Sequence, residues 1–347
     1  MTHGKKVILM SKLYIPEGYT SSISLIETEV AIKDIKDTFE RRLAEQLRLT
    51  RVSAPLFLLK NTGLNDNLNG VETPVSFKSS ELNNDDEIEI IHSLAKWKRN
   101  ALYRYHFEPH TGLYTDMNAI RKDEELDNIH SMYVDQWDWE MVIEKEDRNI
   151  DFFKSTVVKI YEALKDVEFL MLRHYPQLGE TVLPDEISFI TSQELEDLYP
   201  RLTPKQREKE FTKAKKAVCI MQIGDLLESG IKHDGRSPDY DDWTLNGDII
   251  LYHPILDDAF EISSMGIRVD KHKLLEQLEK ADAQERIELP FHQGIINKVL
   301  PLSIGGGIGQ SRLCMYFLRK AHIGEVQASL WDEETYKICE EKGIMLL

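Results

Sequence analysis

Acids crowd one stretch of this sequence. Between Ser237 and Ile267 stand seven carboxylates, Asp239, Asp241, Asp242, Asp248, Asp257, Asp258 and Glu261, and no Lys or Arg, so nothing within that window offsets the charge. Carboxylates brought together repel unless a proton or a cation bridges them, and an all-oxygen donor set with room for water suits Mg²⁺. Asp248 to Tyr252 and Ala259 to Ser263 read as strands joined by the short link HPILDD, which sets Asp248 and Glu261 facing one another across an antiparallel pair. Asp257 and Asp258 read as solvated turn residues.

Cations and further polar groups lie elsewhere. Lys98 shares a face with Leu94, Ala101 and Leu102 on a helix predicted over His92 to Leu102, where it either snorkels to solvent or meets an anion. Arg121 closes a strand beginning at Gly112, placed to reach a ligand lying on the sheet. The strand Ser131 to Glu140 alternates, with Val134, Gln136, Asp138 and Glu140 on one face and Tyr133, Asp135, Trp137 and Trp139 on the other. A face carrying Gln and two acids is unlike a plain core face. Asp66 is the only charge in the loop NTGLNDNLNG. In SIGGGIGQSRL, Gly305, Gly306, Gly307 and Gly309 let backbone approach a ligand just before a helix that carries Arg312. The stretch lacks the Lys-Ser/Thr of a P-loop, and it lies too near the C-terminus to open a dinucleotide-binding sheet.

These groups need elements to hold them. Ser24 and Glu27 fit a capping box, and Val30, Ile32, Ile35, Phe39, Leu43 and Leu47 continue it as one long amphipathic helix. TRVSAPLFLL follows as a strand broken by Pro55, which suits an edge or a subunit interface. Residues 1–22 read as an arm and 23–347 as a single catalytic domain. Within that domain a mainly helical region at about 150–217 is read as support, and Glu285 to Lys298 reads as a further helix.

Composition narrows the function. A net charge of −17 argues against wide nucleic-acid binding, though a small anion can still sit in a local basic pocket. Cys219, Cys314 and Cys339, without CxxC spacing, point to reduced thiols and a cytoplasmic protein. No run approaches the roughly 18 apolar residues of a membrane span. Thr at position 2, and cysteines without a neighbouring signature, argue against a cysteine nucleophile of the kind that hydrolyses glutamine.

An Arg on one strand pair, two acids on a later pair, then a Gly-rich strand entering a helix with Arg: this order resembles the catalytic core of class II aminoacyl-tRNA synthetases. Ser311 stands where that family commonly carries Glu before its Arg. At the level of words, HSLAKWKR, VDQWDWE, PDYDDW, LNGD, DAFEISSMGIR and IGGGIGQSRL look like the asparagine synthetase A (aspartate–ammonia ligase) family, from about Glu27 to the end.

The resemblance implies an α+β fold, an antiparallel sheet flanked by helices, acting as a homodimer through the long helix and the strand around Pro55. It implies L-aspartate, ATP and ammonia as substrates, Mg²⁺ as cofactor, and no nucleic acid or membrane partner. By the same resemblance Arg121, Asp66, Gln136 and Arg312 are catalytic, while Asp66, Lys98, Gln136, Asp138, Asp241 and Ser264 bind aspartate. Arg121, Ser131, Asp248, Glu261, Arg268, Gly307, Gly309 and Arg312 meet ATP, with Asp248 and Glu261 holding the metal. A tRNA-charging synthetase is the rival reading, opposed by the acidic charge and by the lack of a recognisable anticodon-binding domain.

Overall fold

A computed structural model describes residues 13–66, 68, 72–82 and 86–347. The expected capping box opens helix α1 (Leu25–Leu47): Ser24 Oγ accepts from Glu27 N at 3.3 Å and the Glu27 carboxylate accepts from Ser24 N at 2.8 Å. Ala31, Ile35, Phe39, Leu43 and Leu47 form its buried stripe, whereas Val30 faces solvent. The strand anticipated around Pro55 is two strands. β1 (Leu49–Arg51) joins the main sheet, and β2 (Phe57–Leu59) joins β3 (Ser76–Phe77) and β4 (Ile88–Ile90) in a small second sheet. Pro55 lacks the amide a continuing ladder would need, and the chain changes sheets there.

Helix α2 (Ala95–Arg104) precedes the hairpin of β5 (Gly112–Ile120) and β6 (Tyr133–Val142), whose predicted alternation holds. Trp137 and Trp139 are buried in the main core, with Trp137 against Phe39 of α1, while Gln136, Asp138 and Glu140 take the other face. α3 (Ile150–His174) packs along α1 through Phe153, Val157, Ile160, Leu164 and Val167. The region beyond it is less purely helical than expected: β7 (Ser188–Thr191) precedes α4 (Ser192–Leu198) and α5 (Pro204–Lys215), and β8 (Ala217–Met221) returns to the main sheet. β9 (Asp241–His253) and β10 (Asp258–Arg268) form the anticipated hairpin, with Asp257 in the left-handed region at φ 50° at its tip. The helix expected over 285–298 is shorter, because Pro290 starts a new one. α6 (Lys271–Lys280) is followed by a 3₁₀ turn and α7 (Pro290–Ile296), before β11 (Ser303–Gly309), α8 (Gln310–Phe317) and α9 (Glu333–Glu341).

The main sheet runs β1-β5-β6-β11-β10-β9-β8-β7. It is mixed rather than purely antiparallel: the six inner strands pair antiparallel, and β1 on β5 and β7 on β8 add a parallel strand at each edge. One face is covered by α1, α3 and α8 and holds the largest core; the other carries the polar side chains. Of the proposed arm, residues 1–12 lie outside the described residues. The remainder is tied down, with Tyr14 exchanging backbone hydrogen bonds with the Asn128 side chain and the Tyr19 hydroxyl donating to Glu325 at 3.0 Å.

Candidate active site

Strand register builds the floor of the site. Asp248 on β9 lies opposite Ser264 on β10, Ser264 opposite Gly307 on β11, and Gly307 opposite Asp138 on β6. Three inter-strand gaps of about 4.8 Å separate the ends of this rung, so Asp248 and Asp138 stand roughly 14 Å apart. Glu261 pairs with Ile250 rather than with Asp248. A register shift between Glu261 and Ser263 then brings Glu261 and Ser264 to one face, although an odd spacing would otherwise oppose them. Asp248 and Glu261 are therefore diagonal neighbours, not directly facing ones. Above this floor lies a cleft of about 360 Å³ lined by Asp66, Lys98, Arg121, Ser131, Gln136, Asp138, Asp241, Glu261, Ser264, Arg268, Gly307, Gly309 and Arg312. Asp248 lies buried beside it, joined to the lining residue Arg236.

Many of the charges are paired with one another. Lys98 does not snorkel: it is buried, ion-paired with Asp138, and donates to the Gly306 carbonyl at 2.8 Å. Burial draws its ammonium below the usual lysine range although Asp138 pulls the other way. Asp248 is not unopposed either, for Arg236 stands one residue before the acidic window and pairs with it. Burial and then the charge of Glu261 raise the Asp248 carboxyl to about 7 against the pull of Arg236. A divalent cation would relieve that repulsion, and the donors are all oxygen, so Asp248 and Glu261 fit Mg²⁺.

Arg268, expected at the nucleotide, spends its guanidinium on Glu140 at 2.7 Å and on Asp241. Its nitrogens brace the cleft from beneath. Arg121 keeps more freedom: Nη2 reaches the His92 carbonyl at 3.4 Å, and buried Nε has no partner among the described residues. Arg312 donates to the Glu261 carbonyl at 3.0 Å. Asp66 is buried and accepts from Ser93 Oγ at 2.9 Å, which anchors its loop beside α2. Ser131 Oγ lies 2.8 Å from Ser329 Oγ.

The glycines of β11 have a reason the sequence did not display. None has a positive φ. A Cβ on Gly307 would lie 2.5 Å from Gln136 Oε1, and one on Gly305 would collide with the Glu140 carboxylate. They are small so that cleft side chains of β6 can lie across the neighbouring strand. Arg236 and Tyr240 also line the cleft, and neither is among the residues expected from the sequence, although both sit in or beside PDYDDW. Extending the acidic window by one residue would have found the arginine. Their segment is anchored by Asp239, which is fully buried and receives Lys96 at 3.3 Å, Arg286 at 3.1 Å, His292 at 3.0 Å and Ser237 Oγ at 2.8 Å.

The mixed sheet with a cationic and acidic cleft on one face has the fold of solved class II aminoacyl-tRNA synthetases. The asparaginyl-tRNA synthetase from Pyrococcus horikoshii complexed with asparaginyl-adenylate superposes with a TM-score of 0.63 at 14% identity, over 88% of this chain and 70% of that one. The aspartyl-tRNA synthetase of Entamoeba histolytica gives 0.59 at 15% identity, over 88% and 59%. Sequence similarity is far closer elsewhere: the aspartate–ammonia ligase family model matches residues 26–343, and the chain belongs to that family. The Clostridium tetani aspartate–ammonia ligase is 61% identical over 97% of this chain and 98% of its own length, and that of Bacillus cereus strain AH187 is 57% identical over 94% and 99%.

Proposed function

We propose that this protein converts L-aspartate and ammonia to L-asparagine at the expense of ATP. The β-carboxylate of aspartate attacks the α-phosphorus, forming β-aspartyl-AMP and releasing pyrophosphate; ammonia then displaces AMP. The observation that carries the reading is the Asp248–Ser264–Gly307–Asp138 rung, which sets the acid pair at one end of the cleft and the Lys98–Asp138 pair at the other. Aspartate lies at the second end, held by Lys98, Asp138, Gln136, Ser264, Asp66 and Asp241. Its β-carboxylate points along the rung toward the phosphates.

The first step joins two anions, so its barrier falls as fixed positive charge gathers where they meet. Arg121, whose Nε has no partner among the described residues, takes the α-phosphate, and Arg312 takes the nucleotide alongside Ser131, Gly307 and Gly309. Asp248 and Glu261 hold Mg²⁺, which when bound offsets the charge of the phosphates. Arg268 acts from below, keeping Asp241 in place. Residues 23–347 work as one catalytic unit, paired as a homodimer through α1 and the segment around Pro55, in a cytoplasm that keeps the three buried free cysteines reduced. No helix among the described residues is long and apolar enough to cross a membrane.

The test is a product assay with L-aspartate, ammonium and MgATP. Asparagine, AMP and pyrophosphate are expected in equal amounts, whereas ADP and phosphate would overturn the adenylate route. Transfer of asparagine to tRNA without added ammonium would instead support a charging enzyme.

A further inference from the structure

Helix α8 lacks a cap of its own. Its first residue follows Gly309, which has no side chain to accept the free amides of the first turn. A Cβ at Gly309 would lie 3.2 Å from the Cβ of Arg312, a tight contact that a capping residue there would have to relieve. The missing acceptor comes from another strand. Asp135, on the core-side face of β6, accepts from Ser311 N at 3.0 Å through Oδ1 and from Ser311 Oγ at 2.8 Å through Oδ2. Gln327 Nε2 adds bonds to Asp135 Oδ1 at 3.3 Å and to Ser311 Oγ at 3.0 Å. Lys36 of α1 completes the set at 3.1 Å from Asp135 Oδ2. Asp135 is 5% exposed.

The residue after Ser311 is Arg312. A carboxylate at the first turn both satisfies an orphan amide and complements the positive end of the helix, so it fixes where that turn lies on the sheet. We infer that Asp135 is a positioning residue for nucleotide binding: by capping α8 from β6 it sets the approach of Arg312 to ATP. The inference rests on the reading of Arg312 as an ATP-binding group. Asp135 and Gln327 reach the edge of the cleft lining, but both Asp135 oxygens are engaged by Ser311, so in this scheme its effect passes through Ser311. The bond from Lys36 ties the same carboxylate to α1, so the position of Arg312 is referred to the helix that covers the opposite face of the sheet.

The experiment compares Asp135→Asn and Ser311→Ala with the wild-type enzyme in aspartate-dependent ATP–pyrophosphate exchange. Exchange by the wild type tests the functional reading itself, so failure there is distinct from failure of the inference. Asp135→Asn keeps the shape but turns an NH₂ toward groups that themselves donate; KM for ATP is expected to rise about tenfold and KM for aspartate to stay within twofold. Ser311→Ala retains the backbone amide and is expected to raise KM for ATP only two- to threefold. A purely structural role would reduce the folded fraction, which lowers apparent kcat and leaves KM alone. An unchanged KM for ATP in Asp135→Asn, or an equal rise in both KM values, overturns the inference.

Discussion

Replacing Arg268 with Met removes the cation from a buried triad. Arg268 donates to Glu140 from Nε at 3.0 and 3.1 Å and from Nη2 at 2.7 Å, and it pairs with Asp241 through Nη1; the Ser303 hydroxyl adds a 2.7 Å bond to Glu140. Both acids are buried, and removing one partner of such a pair costs about 3–5 kcal/mol because the remaining charge is left without compensation. With an unfolding entropy of about 2.1 cal/mol/K per residue, a chain of 347 residues changes by roughly 0.7 kcal/mol per degree, so the melting temperature should fall by about 4–7 °C.

The pH dependence follows from the same triad. Burial alone would raise the Glu140 carboxyl, but Arg268 pulls it below the usual range. The ion pair therefore adds stability above the carboxyl's unfolded pKa and loses it as pH falls through the folded value. In Arg268→Met that acid-side loss should vanish, since burial then favours protonated Glu140. Thermal denaturation by circular dichroism from about pH 2 to 8 measures both effects, since the acid-side loss falls below the unfolded carboxyl pKa. A double variant, Glu140→Gln with Arg268→Met, should recover at least half of the loss at pH 7. A fall below 2 °C in the single variant, or a double variant worse than either single, would refute the reasoning.

Two other predictions concern the cleft. Glu261→Ala should abolish ATP–pyrophosphate exchange while circular dichroism and melting temperature stay near wild type, because the side chain is 41% exposed; near-normal exchange would reject its metal role. Gly307→Ala should displace the Gln136 amide, raising KM for aspartate about tenfold with under 2 kcal/mol lost in stability, and an unchanged KM would remove Gln136 from the aspartate pocket.

What could be read without coordinates was what the pattern makes local. The capping box at Ser24, the alternation of β6 and the β9–β10 hairpin all follow from spacing between near neighbours in sequence. The parallel strands at the two edges did not follow, because pairing β1 to β5 or β7 to β8 depends on crossovers whose destination no local periodicity encodes. Most of the candidate residues come together along one cleft, but their partners were not legible. Arg236 beside Asp248 and Glu140 beside Arg268 are pairings set by register and loop placement, and the shift at Ile262 that puts Glu261 on the Ser264 face is invisible in an alternating string. Alternation places Asp135 on the face of Trp137 and Trp139, yet its bonds to Ser311 join residues 176 positions apart.

Within the cleft Lys98 is the counterion of Asp138, and Arg236 that of Asp248. On the proposed assignment of these residues, binding is an exchange of partners. An anion that draws Arg236 away strands a buried carboxylate, and a cation that claims Asp248 strands a guanidinium, so each alone meets resistance. A ligand bringing both charges together satisfies the pair at once. The same trade at Lys98 and Asp138 favours a zwitterion over a plain dicarboxylate. Selectivity in such a site comes from what a wrong ligand would leave unpaired.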